Sequence, residues 1–183
     1  MAGISHYQLP LPEFDAPVRA LIVVSPYYRE IADAMISGAR AVLDQVGAVT
    51  DLVEVPGALE IPTAIGMAAR SGRFDGFVAL GCVIRGETTH YETVCNDSSR
   101  GLTLLGLEGL AIGNGILTVE NEDQAIVRAD PDGQNKGGGA AAAALHLIAL
   151  SRKYAPTRQQ PTPDPRDNDP IRLAGRLEGT TGA

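Results

Sequence analysis

The sequence predicts an α/β domain built on a four-stranded parallel sheet with helices on both faces. Four apolar runs, at 18–25, 49–55, 76–84 and 110–119, alternate with stretches whose apolar residues recur at helical spacing. Glycine, proline or asparagine stands near the junctions, where one element must stop and the next begin. Such regular alternation is satisfied by a parallel sheet whose right-handed crossovers pass over its faces.

Taken in order, the head at 1–17 carries Pro10, Pro12 and Pro17 and reads as a flexible arm, or as a strand that needs a partner to pair with. The first strand ends at Ser25-Pro26-Tyr27-Tyr28. Ile31, Ala34, Met35, Gly38, Ala41 and Val42 then fall on one helical face, and Gly47 is placed to end that helix. Pro56-Gly57 turns the chain after the second strand; Pro62 stands where a helix begins and Gly72 where it ends. After the third strand a polar loop leads into a helix from about Tyr91 through Val94, Leu102 and Leu105 toward Gly109. Asn121, with Gln124 three residues on, caps a short helix carrying Ala125, Ile126 and Arg128. A last helix starts after Gly137-Gly138-Gly139 and runs to Tyr154; its run Ala140–Ala144 offers a smooth surface for close packing against another helix. From Ala155 onward, prolines at 156, 161, 163, 165 and 170 and mixed charges leave nothing to fold with, so 155–183 reads as a disordered tail. The folded domain is thus expected at 18–154.

Composition excludes several functions. A chain of 183 residues, 44% hydrophobic, is long enough for one domain with a sizeable core. Its net charge of −7 offers no basic field to a nucleic acid, although a local cationic pocket could still take a small anion. No basic residue precedes Arg19, and prolines interrupt the early apolar residues, so neither a signal peptide nor a membrane span is expected and the location expected is cytoplasmic. Cys82 and Cys95 lack Cys-x-x-Cys spacing and read as two separately packed thiols; a metal site from Cys82, His90 and Cys95 matches no zinc pattern. Asn96-Asp97-Ser98 is formally a glycosylation sequon, incidental without a secretory signal. No dinucleotide fingerprint or Walker motif is present, since the turn after the first strand has no glycine and Gly113-Asn114-Gly115 lacks the third glycine and sits inside a strand. The stretch 133–139 has the glycine and lysine content of an anion cradle around Lys136, and reads equally well as a plain connection between helices.

The chemistry concentrates between Gly81 and Arg100, just past the third strand, at the sheet edge where open α/β sheets bind ligands. His90 carries the side chain best suited to transfer protons at neutral pH, with a loop histidine that caps or faces water as the plain alternative. Arg85 ends a buried strand and needs a partner, which Glu87, Glu92 or a substrate could be. Glu87, Thr88 and Thr89 precede a helix N-terminus, a ready anion site, and either threonine could equally be a helix cap. Tyr27 and Tyr28, on the same sheet edge, can stack on a planar ring or simply pack. Arg128 can grip a phosphate or sit on a solvated face. Together these features suggest an aromatic substrate and a phosphorylated one.

Val55–Pro62, Gly81–Tyr91, Gly115–Asn121 with Gln124 and Ala125, and Asn135-Lys136-Gly137 resemble, in unbroken order, the motifs of the lumazine synthase family of riboflavin formation. The resemblance covers about Pro17 to Tyr154. It implies a flavodoxin-like subunit in a homopentamer, in some members twelve pentamers forming an icosahedral shell, with active sites between neighbouring subunits. The family condenses 5-amino-6-(D-ribitylamino)uracil with 3,4-dihydroxy-2-butanone 4-phosphate to give 6,7-dimethyl-8-ribityllumazine, phosphate and water, without metal or organic cofactor. By motif, the resemblance implies that Tyr27 stacks on the pyrimidine, that Ala58, Leu59 and Glu60 hold the ribityl chain and ring, and that Cys82, Val83 and Ile84 meet the pyrimidine through their backbone. It makes His90 the proton-transfer residue. Glu87, Thr88 and Arg128 would receive the phosphate, and Asn114, Arg128 and Lys136 would come from the adjacent subunit. Leu59 stands where an aromatic residue is common, and Asn114 where an apolar or aromatic one is. A flavodoxin-like ligand-binding module and a shell protein weak or inactive in catalysis are the alternatives. The first has no need of His90, Thr88 and Arg128 together, and the second would be expected to lose one of them.

Overall fold

Four parallel strands in the order β2-β1-β3-β4 form the sheet in the computed structural model, which describes residues 9–155. Along the chain the elements are β1 (Arg19–Val24), α1 (Arg29–Gln45), β2 (Val49–Glu54), α2 (Glu60–Ala69), β3 (Gly76–Ile84), α3 (His90–Leu107), β4 (Ile112–Val119), α4 (Glu122–Ala129) and α5 (Lys136–Lys153). This is the flavodoxin-like order, with four strands among the described residues. The arm and tail readings for 1–8 and 156–183 lie outside the described residues. Residues 9–17 have no regular secondary structure, yet Leu11 and Phe14 pack against the core and Arg152 donates to the carbonyls of Ala16 and Pro17 at 2.9 and 2.8 Å.

Alternation along the strands creates two cores, because successive side chains point to opposite faces. Ala20, Ile22 and Val24 of β1 and Val78, Leu80 and Cys82 of β3 meet α1, α4 and α5 on one face. Leu21 and Val23, with Phe77 and Ala79, meet α2 and α3 on the other. The two central strands are buried on both faces, which explains their unbroken apolar sequences.

Glycine is required where α5 crosses its neighbours. A Cβ on Gly137 would lie 2.2 Å from the carbonyl oxygen of Met35 in α1, and one on Gly113 of β4 would fall even closer to that of Ala140. The triple glycine therefore belongs to the first turn of α5 and not to a preceding loop, a correction to the sequence reading that follows from this close approach. The alanine run likewise spends its small side chains inside the subunit, with Ala140, Ala141 and Ala144 buried in the same core as α1.

Three further expectations shift. The buried stripe of α1 is Ile31, Ala32, Met35, Gly38, Ala39 and Leu43; Ala34 and Val42 are half-buried and Ala41 is exposed. The helix is covered by α5 as well as by the sheet, which widens and turns its apolar face. Pro62 sits within the first turn of α2, where its missing N–H costs nothing, and the helix starts at Glu60. The stretch 133–139 is no open cradle: the amides of Gly133, Gln134 and Asn135 donate back to Asp130 and Val127, and Asn135 Oδ1 accepts from the Gly138 amide at 2.9 Å.

The close approach can be tested within one helical turn. Gly137→Ala should destabilise the subunit by about 1–3 kcal/mol, since the added methyl meets backbone that cannot move alone. Gly139→Ala, with nothing within 4 Å of the added methyl, should be neutral or stabilising by up to about 1 kcal/mol. Denaturation midpoints of the two variants decide the matter: equal shifts would refute the packing argument.

Candidate active site

The chain passes from β1 to β2 on one side of the sheet and then to β3 on the other, and at such a switch point the strand ends open a crevice. A cleft of about 380 Å³ occupies it. Its walls come from the residues following β1, the turn before α2, and the end of β3 with the loop and first turns of α3.

Strand length gives this crevice its hydrogen-bonding edge. β1 ends its ladder at Val24, opposite Leu80, and the Ser25 amide adds one last bond to the Leu80 carbonyl at 2.9 Å. β3 continues to Ile84, paired there only with β4. Backbone groups alternate sides along a strand, and Arg85 N donates toward β4, to Val119 O at 3.0 Å. The N–H and C=O groups of Cys82 and Ile84 therefore point past the end of β1 into the cleft, with no strand among the described residues to pair with. They can serve a planar ligand presenting its own donors and acceptors, as a further strand would.

Above this edge stands Tyr27, 73% exposed, its ring edge-on to Tyr28 with centroids 5.1 Å apart. Tyr28 precedes α1 in extended conformation; its phenol is held above the usual value by burial and, secondarily, by Tyr27. The turn 57–60 supplies buried Ala58, partly exposed Leu59 and Glu60, whose carboxylate lies over Gly57: a Cβ there would stand 2.8 Å from Oε2. Burial pushes the Cys82 thiol up to about 11, so it is protonated at neutral pH and is no nucleophile.

The loop 86–89 places Thr88 and His90 on the opposite wall, where Thr88 Oγ1 accepts from the His90 amide at 3.4 Å. His90 is exposed and opens α3, whose N-cap residue, Thr89, makes no side-chain cap bond. Arg85 is satisfied by Glu92 and Glu120, not by Glu87.

Tyr27, Ala58, Leu59, Glu60, Cys82, Val83, Ile84, Thr88 and His90 thus line one cleft. Glu87 is exposed between two lining neighbours but is not itself part of the wall. Asn114, Arg128 and Lys136 lie away from it in the same subunit. Asn114 Oδ1 accepts from the Ile116 amide at 3.0 Å, Arg128 donates to the Gln124 carbonyl at 2.9 Å, and Lys136 is exposed at the start of α5. Sequence reasoning did not single out Ser25, Gly57, Gly86, Tyr91 or Val94 as lining residues. Ser25 directly follows a buried strand, and Val94 stands one helical turn after His90; both spacings were available as signals.

Among the described residues that line the cleft there is no lysine or arginine, so they offer hydrogen-bonding and stacking surfaces but no such cation for an anionic ligand. Among the described residues no cluster of three or more His, Cys, Asp and Glu side chains could hold a metal ion, and no helix is long and apolar enough to cross a membrane.

Comparison with known proteins bears directly on this site. Residues 17–152 match the model of the family described as 6,7-dimethyl-8-ribityllumazine synthase. A protein of that name from Jannaschia sp. (strain CCS1) is 60% identical over 154 residues, 84% of this chain and 86% of the relative. Relatives of the same name from Sphingopyxis alaskensis and Zymomonas mobilis are 56% and 54% identical, over 73% and 74% of this chain and 95% and 97% of their own lengths. With the family match spanning every strand and helix except the last residue of α5, the chain belongs to the 6,7-dimethyl-8-ribityllumazine synthase family.

Proposed function

We propose that the protein condenses 5-amino-6-(D-ribitylamino)uracil with 3,4-dihydroxy-2-butanone 4-phosphate to form 6,7-dimethyl-8-ribityllumazine, the penultimate step of riboflavin biosynthesis. The observation that carries this reading is the meeting of Tyr27, the unpaired backbone of Cys82 and Ile84, and His90 around one cleft in a chain of this family. The uracil stacks on Tyr27 and pairs with the β3 edge through its imide and carbonyl groups, while the turn 58–60 holds the ribityl chain. The butanone phosphate lies toward Glu87 and Thr88, at the N-terminus of α3, where free amides favour an anion.

The reaction then runs by proton transfers. The pyrimidine amine attacks the ketone carbonyl, and loss of water leaves an imine. Enolisation expels phosphate, and the ribityl-bearing nitrogen closes the second ring with loss of water. His90 relays protons among these steps, and holding two substrates in register supplies much of the remaining rate, so no cofactor is called for.

Asn114, Arg128 and Lys136 complete the site from an adjacent subunit in a homopentamer, or in a larger shell of pentamers. Two features support assembly. The described residues of the cleft include no lysine or arginine for the phosphate, and α3 buries only Ser98 and Leu102 while leaving Leu104 and Leu107 53% and 80% exposed. In this reading the working unit is 18–154 and it acts in the cytoplasm.

Pure protein given both substrates should form the lumazine in the presence of chelator; strict dependence on a metal or nucleotide would refute the mechanism. His90→Ala should lower kcat by about 10²-fold with little change in KM, the low end of acid–base losses, since positioning survives. Light scattering should find a pentamer or a multiple of it. A fully active monomer would exclude a shared site.

Arg128→Ala should raise KM for the phosphorylated substrate roughly ten- to a hundredfold, the worth of one charge-assisted hydrogen bond, and leave the pyrimidine KM nearly unchanged. Arg128→Lys should recover only part, lacking the two-pronged geometry. Equal weakening toward both substrates would remove Arg128 from the site.

A further inference from the structure

A charged cluster at the mouth of the cleft has no part in the reaction as described. Arg85, the residue after β3, turns toward the start of α3. Its guanidinium binds the Glu92 carboxylate in the first turn of α3, donates from Nε to Glu120 Oε2 at 2.7 Å just past β4, and lies with Cζ 4.1 Å from the centroid of the Tyr91 ring. One planar group thus ties together the ends of two strands and the two residues that follow His90.

This tie matters because α3 begins without its usual fastening. Thr89 occupies the N-cap position in helical conformation with no side-chain cap bond, and the His90 amide has only a long contact to Thr88 Oγ1. Glu92 stands at the third helical position, where a glutamate can reach back to cap its own helix; here it turns to Arg85 instead, which holds its carboxyl below the usual value. All three charged side chains are substantially exposed. A single such ion pair would contribute little, but a forked guanidinium with two carboxylates and a ring face has only one arrangement that satisfies all three.

We propose that Arg85 is a positioning residue for His90: through Tyr91 and Glu92 it fixes the first turn of α3, and with it the direction from which the imidazole faces the cleft. Arg85 itself touches neither substrate. The inference rests on the role of His90 proposed above.

The test is a double-variant cycle read by steady-state kinetics. Arg85→Met, which keeps much of the length and removes the charge and fork, should lower kcat on the order of tenfold through misplacement, with KM for the pyrimidine within about twofold of wild type. Arg85→Lys should restore part of kcat, because it keeps a charge but cannot hold both carboxylates and the ring. Combined with His90→Ala, Arg85→Met should cost nothing further, since a histidine that is absent cannot be misplaced. Glu120→Gln removes one prong while leaving Arg85 paired with Glu92. It should give a smaller loss of the same kind, also silent in the His90→Ala background, and carries the test if Arg85→Met fails to fold. Amide exchange over 89–94 should quicken in Arg85→Met while the central strands stay protected. Losses that multiply in the double variants, an unchanged kcat, or exchange that quickens throughout the subunit would overturn the proposal. Exchange judges Arg85 whether or not product forms, whereas a wild-type protein that makes no lumazine would instead refute the proposed reaction.

Discussion

The pairing of β1 with β3 is the constraint from which the rest of the subunit follows. These two strands are the inner pair of the sheet, and between them they supply both cores. Their register sets Val24 against Leu80, so β3 outruns β1 and leaves its last backbone groups facing the crevice. A slip of one residue would send the apolar residues of each strand to the wrong faces and would also change which amides of β3 remain open. Core packing and the ligand-facing edge are therefore fixed by the same set of hydrogen bonds.

The helices take their places from this sheet, and they differ in how firmly they are held. α5 and α1 meet backbone to backbone across Gly137, and α5 lies as closely on β4 across Gly113. On the other face, α2 and α3 contribute only Ala58, Ile61, Ile65 and Leu102 to the fully buried core, from the α2 turn onward. The cleft opens between the exposed start of α1 and the lightly buried α3. The rigid face anchors the strands, while the less covered face carries the loop with Thr88 and His90. A helix so placed needs local ties at its first turn, and Arg85 supplies them.

Much of the architecture was legible because apolar runs with glycine or proline between them leave few other ways to bury themselves. β3 was read to its bounds, and the Asn121 cap of α4 is made as its spacing suggested, with Gln124 N donating to Asn121 Oδ1 at 3.0 Å. What sequence could not show depended on which elements touch. Three successive glycines read as a loop until α1 is seen lying against them, and the buried stripe of α1 turns because a second helix covers it. The cleft was legible where aromatic or reactive side chains cluster within a few residues of a buried strand's end, as at Tyr27 and at the 86–90 loop. It was illegible where the partner is remote: Glu120, 35 residues from Arg85, completes that cluster only because β3 and β4 run side by side.

The distribution of charge over the cleft carries a last consequence. An uracil ring is neutral, and the aromatic wall and open strand edge of one subunit can hold it without any ionic group. A phosphate ester is a dianion that must be met by cations if it is to leave water, because an unpaired charge in a partly enclosed cleft is costly. The guanidinium of Arg85, beside the cleft, is already held by two carboxylates and is not free to meet it. None of the described residues that line the cleft is a lysine or arginine, and on the proposed reading the cations for that dianion come from an adjacent subunit. On the proposed reading, one substrate is a matter for the subunit and the other for the oligomer. Separating them in this way would keep a lone subunit from binding the phosphate productively, so that chemistry waits on assembly.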